Sequence, residues 1–303
     1  MLIKKLTFYL HKQKQKIIIF VLKFSEKQII MKKTLPFLLS ILFLVFITQS
    51  CSKKKGEKPT VPPLNTFVME SSDFESSNGP QRLDQTASYD NWTHASVNVL
   101  FWQAILTINL AVPVAAYKEA LNQTPKWKGA KKGWVWAFTT TVGNYKYTCK
   151  LHAKHQGNNE VKWEMFLTQD GGFKDFKWFE GTSDFNNTYG NWLLYKEPKS
   201  AQEYIEIEWK KNPTTGYEDI KYINVQKEDN GKGSFIQYGH HNNTIYNSFY
   251  DISLSNKSQN TTNVINVEWH DKNKEGRVKD PVKYLDSDWR CWGIDLLDEQ
   301  CFQ

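Results

Sequence analysis

Between Val97 and Leu121 the chain reads VNVLFWQAILTINLAVPVAAYKEAL, the most apolar run after residue 50. Apolar residues at 97, 100, 101, 104, 105 and 108 follow helical spacing, and Val99, Trp102, Leu106 and Leu110 fill the other faces. A helix apolar nearly all round is buried on several sides or lies in a membrane. Asn98, Gln103, Asn109 and Pro113 leave no clean span of about 20 apolar residues, which argues against a transmembrane segment. Pro113 suits the first turn of a second helix, so the pattern predicts a helix–kink–helix unit over 93–121, acting as a plug or lid. Polar residues in Tyr89-Asp90-Asn91-Trp92-Thr93 are candidate caps just before it.

From Gly133 the period changes from helix to strand. Trp134, Trp136, Phe138 and Thr140 share one face; Tyr145, Tyr147, Cys149 and Leu151 share the next, then Val161, Trp163, Met165 and Leu167. Ile205-Ile207-Trp209, Ile220-Tyr222, Tyr246 to Leu254 and Ile265-Val267-Trp269 continue the alternation. Between them lie turn clusters such as QGNN at 156–159, QDGG at 169–172 and EDNGKG at 228–233. Roughly ten to twelve strands with hairpin-length connections predict a mainly β fold. Its form is an antiparallel up-and-down barrel or half-barrel, with a β-sandwich as the alternative. Residues 89–303 are expected to form a single β-rich domain that includes the helical unit.

Charge changes the picture of the chain start. Residues 1–50 carry nine lysines and one acid, Glu26, a net +8 against +7 for the whole chain, so the remainder carries −1. A near-neutral body gives no electrostatic case for nucleic acid as a partner. Met31-Lys32-Lys33 begins a basic stretch, Leu35 to Ile47 is apolar, and Thr48-Gln49-Ser50-Cys51 follows. That order is the order of a signal peptide, and 1–50 reads as a targeting segment with its true start at Met31. The run resembles the signal of a bacterial lipoprotein, of the kind found in Bacteroidota, although Thr48 stands where Leu is usual and Gln49 is bulkier than the usual residue. The resemblance implies lipidation of Cys51, a membrane as partner through that anchor, and a place in the cell envelope. The lysines at 53–55 favour the periplasm-facing side over the cell surface. Residues 51–88, rich in Pro, Ser, Asn and Gln, read as a flexible tether.

An envelope location is oxidising, so Cys291 and Cys301 are candidates for a disulfide closing a short C-terminal loop, and Cys149 reads as a small core residue on a strand face. His152 and His155 point to opposite faces of a strand and cannot both ligate a metal from one side. His240 and His241 sit in a Gly/Asn turn. Asp271 to Asp280 opens like a calcium loop, but Val282 stands where the closing carboxylate belongs, which favours a hairpin turn. Glu164, Glu180, Glu206, Glu208 and Glu268 alternate with apolar residues as a solvated face. No catalytic residue, metal or cofactor is therefore expected.

Aromatic residues are the remaining signal: all 12 Trp lie between 92 and 292. Phe101 and Trp102 on the helix, with Trp163, Trp209 and Trp269 on strands, are candidate linings for an apolar ligand. Trp178 and Trp192, beside Gly181 and Gly190, are candidates for exposed stacking on a sugar. The expectation is a non-catalytic binding protein for an apolar or lipid-like ligand. The alternatives are a carbohydrate- or surface-binding module and a structural or interaction subunit of an envelope complex.

Overall fold

The segments of period two become strands of one antiparallel sheet. The computed structural model describes residues 56–69, 71–75, 88–212, 214–215, 218–241 and 245–301. In chain order the strands are β1 (Lys126–Trp127), β2 (Trp134–Val142), β3 (Tyr145–Gly157), β4 (Glu160–Gln169), β5 (Phe176–Asp184), β6 (Tyr189–Glu197) and β7 (Ser200–Lys211). They continue as β8 (Glu218–Asn224), β9 (Phe235–His240), β10 (Ser248–Asn256), β11 (Thr261–Trp269), β12 (Gly276–Lys279), β13 (Arg290–Trp292) and β14 (Asp298–Glu299). Each pairs with its sequence neighbour, giving a 14-stranded up-and-down sheet ordered β1 to β14. The edges β1 and β14 do not pair, so the sheet is open. That order fits a half-barrel, or a sandwich folded from one continuous sheet, and not a closed barrel.

Alternation decides which face is covered. On β4, Val161, Trp163, Met165 and Leu167 are fully buried, and Ile205, Ile207, Trp209, Ile265, Val267 and Trp269 repeat the pattern on β7 and β11. Lys162, Glu164, Lys177 and Glu180 on the opposite face interlock as ion pairs across β4 and β5. Glycines in the strands make room for rings. Gly181 lies opposite Trp192, Gly190 opposite Trp209 and Gly276 opposite Trp292. A Cβ on any of them would collide with the neighbouring indole.

The apolar run forms one helix, α1 (Asp90–Leu121), of 32 residues, in place of the expected helix–kink–helix. Proline inside a helix forfeits one hydrogen bond and costs ~3 kcal/mol. Here the orphaned carbonyl belongs to Asn109, an exposed residue, so the group is on the side of the helix open to solvent. Beyond Pro113, the fully buried Ala116, Tyr117 and Ala120 dock the last turns on the sheet and hold the helix continuous. The cap is not local either. Asp298 of β14 accepts from the Asn91 amide at 2.9 Å and the Asp90 amide at 3.2 Å, placing a carboxylate at the helix N-terminus where the macrodipole favours it.

The helix crosses the sheet. Its start meets β13, where Asn91 donates to the Cys291 carbonyl at 3.0 Å. Its end meets β2, β5 and β6, where Tyr117 packs on Phe179 and Trp192. The Cys291–Cys301 disulfide staples the far edge. A one-turn helix, α2 (Pro281–Tyr284), follows β12 and is capped by Asp280.

The second departure concerns 51–88. Its described portions, 56–69 and 71–75, are no tether but a strap packed into the core. It crosses the strands in the direction opposite to α1. The Trp134 indole of β2 donates to the Glu57 carbonyl at 2.9 Å, the Trp192 indole of β6 to Thr66 Oγ1 at 3.4 Å, and the Trp269 indole of β11 to Asp73 at 3.0 Å. Two 3-10 turns, Leu64–Thr66 and Ser72–Phe74, bend it so that Phe67, Met69 and Phe74 point inward and are buried. Its aromatic anchors carry what its polar composition conceals. Residues 1–55, including the expected targeting segment and Cys51, and 70 and 76–87 of the expected tether lie outside the described residues.

Candidate binding site between helix and strap

Most of the apolar space between α1 and the sheet is filled by the strap. Phe67 stacks on Tyr117 with ring centroids 4.8 Å apart and reaches Phe179 at 5.0 Å. The Tyr117 hydroxyl donates to the Pro62 carbonyl at 2.6 Å. Phe74 meets Trp269 edge-on at 5.0 Å, and the Ser96 hydroxyl donates to its carbonyl at 2.9 Å.

Two clefts remain on the flanks of the buried Trp102–Leu106–Leu110 ridge. The first, of about 240 Å³, lies between α1 and the strap. Phe67, Met69, Leu106, Leu110, Val114 and Tyr222 give it an apolar wall, with Gln103 and Thr107 at its polar points. The second, of about 350 Å³, is mixed: Phe101, Trp102, Ile105 and Tyr204 face Asn224, Gln226 and Asp229. Most of its polar groups are already engaged, Asp229 by the Gly231 amide at 2.6 Å and Asn224 by the Gln226 amide at 3.0 Å.

The expected lining residues scatter. Phe101 is 59% exposed and Trp102 is buried, both bordering the second cleft. Trp163, Trp192, Trp209 and Trp269 are buried in the core, and none lines the first cleft. Trp163 donates to Ser183 Oγ at 3.0 Å, as a core indole does. Trp178 and Trp192 are not exposed stacking platforms: Trp178 packs among Phe173 and Phe176, and Trp192 is fully enclosed. Adjacent glycines suggested turns but instead seat rings from neighbouring strands. The strap residues Phe67 and Met69 were missed; the only mark of them was the short apolar run Phe67-Val68-Met69 in a polar stretch.

The outer face of α1 stays uncovered. Val97, Phe101 and Ile108 are 60, 59 and 77% exposed, and with Ala104 and Ala111 they form one stripe at helical spacing. Helix α1 is apolar and long enough to cross a membrane, yet only 33% of its most apolar window is buried in the fold. Ala111 lies on both the stripe and the first cleft, so the two surfaces are continuous.

Titratable groups elsewhere serve the framework. Burial opposes ionisation of Glu180, but hydrogen bonds from Lys177, Tyr195 and Lys162 outweigh it and pull its carboxyl to about 2, the reverse of what a general acid needs. Burial pushes the Cys149 thiol up to about 12, which suppresses thiolate chemistry. His94 Nε2 lies 2.8 Å from Asp280, tying α1 to the β12–α2 corner. Burial lowers the His94 pKa in spite of that partner. Among the described residues no group of three His, Cys, Asp or Glu side chains converges to hold a metal. No protein family, curated protein or solved structure matches the chain.

Proposed function

We propose that this is a lipoprotein of the cell envelope, anchored through Cys51 and facing the periplasm, that binds a single apolar, lipid-like chain without catalysing a reaction. The observation that carries the binding reading is the 240 Å³ apolar cleft between α1 and the strap, open onto the exposed apolar stripe of the same helix. That volume is below the roughly 300–1,000 Å³ of enclosed small-molecule sites. It suits one chain end, with the remainder of the ligand lying along Val97, Phe101 and Ile108. Enclosure of Trp178 and Trp192 weighs against the sugar-stacking alternative. The stripe also favours a second reading, in which an apolar surface of an envelope protein docks there.

The chain divides into two compact units, Met1–Lys54 and Lys55–Gln303, and native mass spectrometry of the unit beginning at Lys55 tests the first reading. Co-purified lipid or an added fatty acid bound at one equivalent is the expected result. Thr107→Trp, placed in the exposed mouth of the cleft, abolishes it while leaving the melting temperature unchanged. Absence of any bound lipid, with a cross-linked protein partner on the stripe, favours the second reading. Mass analysis of detergent-extracted protein tests the anchor: a lipid adduct on Cys51, lost in Cys51→Ser, is expected.

A further inference from the structure

The hairpin joining β1 and β2 carries Lys126, Lys128, Lys131 and Lys132 and no acid before Gly133. All four are exposed. Among the described residues none of them is in an ion pair; the paired lysines are Lys150, Lys162, Lys177 and Lys274, elsewhere on the fold. The hairpin is built rigidly. Gly129 and Gly133 hold positive φ, and the Gly133 amide donates to the Gly129 carbonyl at 2.8 Å. A Cβ on Gly133 would strike the Ala153 carbonyl, so the turn lies flat on β3 beside the exposed Lys154. Half-buried Trp127 packs against Trp134 at 5.7 Å and also meets Gly56, two residues from the exposed Lys58. Two acids are close by: Glu57, whose carbonyl is held by Trp134 and His155, and Glu164, which shares His152 as a neighbour with Lys132.

We infer that this basic, tryptophan-bearing corner is a docking surface for a bilayer containing anionic phospholipid. Complementary charge supplies the attraction, about fivefold in partitioning for each lysine near an anionic leaflet, and Trp127 supplies a ring suited to the headgroup region. The corner is also where the strap begins. Four residues separate Cys51 from Gly56, five chain steps with a reach of at most ~18 Å, so a lipid on Cys51 would keep this corner near the bilayer. Lysines on an edge strand also discourage pairing with another chain, but that role accounts for Lys126 and leaves the turn lysines, Lys154 and Lys58 unexplained. The inference rests on the envelope reading for its membrane, and it is tested without the lipid so that the two can fail separately.

The unit beginning at Lys55 is floated with phosphatidylcholine vesicles, with and without phosphatidylglycerol, near physiological ionic strength. Binding is expected only with phosphatidylglycerol, and it weakens as salt rises. Replacing Lys126, Lys128, Lys131 and Lys132 by Gln lowers the partition coefficient by roughly several hundredfold. A matched set at the exposed Lys210, Lys232, Lys257 and Lys272 lowers it by less than about fivefold. No binding to the anionic vesicles, or equal loss from the matched set, overturns the inference. Should the fourfold variant melt early, Lys131→Gln with Lys132→Gln, both outside the strands, gives the same reading at on the order of a tenfold loss or more. Retention of fatty acid by the fourfold variant separates this surface from the cleft.

Discussion

At the β14 edge, Asp298 caps α1 and the Cys291–Cys301 bond closes the last loop. At the β1 edge, the short pair Lys126–Trp127 leans on β2 and is covered by Gly56 and Glu57, held through the Trp134 indole. One edge is fixed by a covalent bond and an acidic cap and turns its charge inward to the helix. The other is held by backbone carbonyls of the strap and turns its charge outward. An open sheet need not treat its edges alike: one is closed by a covalent bond and a cap, and the other keeps four exposed lysines. Both depend on what lies between them, the antiparallel pair of strap and helix.

The largest effect is expected from breaking that pair. Phe67→Ala empties the space between Tyr117, Phe179 and Trp192 and lowers stability by about 3–5 kcal/mol, read as a fall in the denaturation midpoint. An unchanged midpoint means that the strap is not part of the core. Next comes the stapled edge. Replacing both Cys291 and Cys301 by Ser releases a loop with a sequence separation of 10, a loss of about 3 kcal/mol in the chain-entropy account. The reductant sensitivity of the native protein, measured beside that variant, reports the same step. Asp298→Ala removes the cap from α1 and costs about 1–2 kcal/mol, with faster amide exchange at Asp90 and Asn91 as its local signature.

Acid sharpens the comparison further. Burial depresses His94 below its usual 6.5, so the unfolded chain takes up the proton first and stability falls as pH drops below that value. Asp280, on which burial acts the other way, is held below its usual 3.8 by hydrogen bonds from Asn263, the Lys283 amide and His94, so its contribution is lost only at still lower pH. Melting curves of His94→Gln are expected to lose the first of these steps and keep the second. The smallest effect belongs to the β1 edge. Lys131→Gln and Lys132→Gln change the melting free energy by less than about 0.5 kcal/mol, because these charges face water.

The sheet was legible because period-two alternation survives wherever one face is buried and the other wet. The Val161-Trp163-Met165-Leu167 line and the Ile265-Val267-Trp269 line fall in β4 and β11 with the expected residues inside. Elements of two or three residues, β1, β13 and β14, have no period to read. The kink expected at Pro113 was a local rule overridden by packing of Tyr117 and Ala120. The strap was hidden because a few buried rings, Phe67 and Phe74, do the anchoring while the remaining residues stay polar. Trp178 and Trp192 were misplaced because a glycine beside an aromatic reads as a turn; in β5 and β6 the glycine is the seat for a ring. Of the candidate lining, helix position alone indicated the ridge at Trp102.

The distant cap on α1 sets a constraint in time. During synthesis the strap and helix are made before the sheet, while β11, β13 and β14, which receive Phe74, Asn91 and the helix start, are made last. Until Asp298 is joined to the chain, α1 has no cap at its start, although β2, β5 and β6 are already present to receive its end. Contacts spanning some two hundred positions, such as the separation of 207 between Asn91 and Asp298, make for slow folding dominated by loop closure. Until β13 and β14 are made, the start of α1 lacks the partners that fix it, so the N-terminal half of the helix is the last part of the fold to be secured.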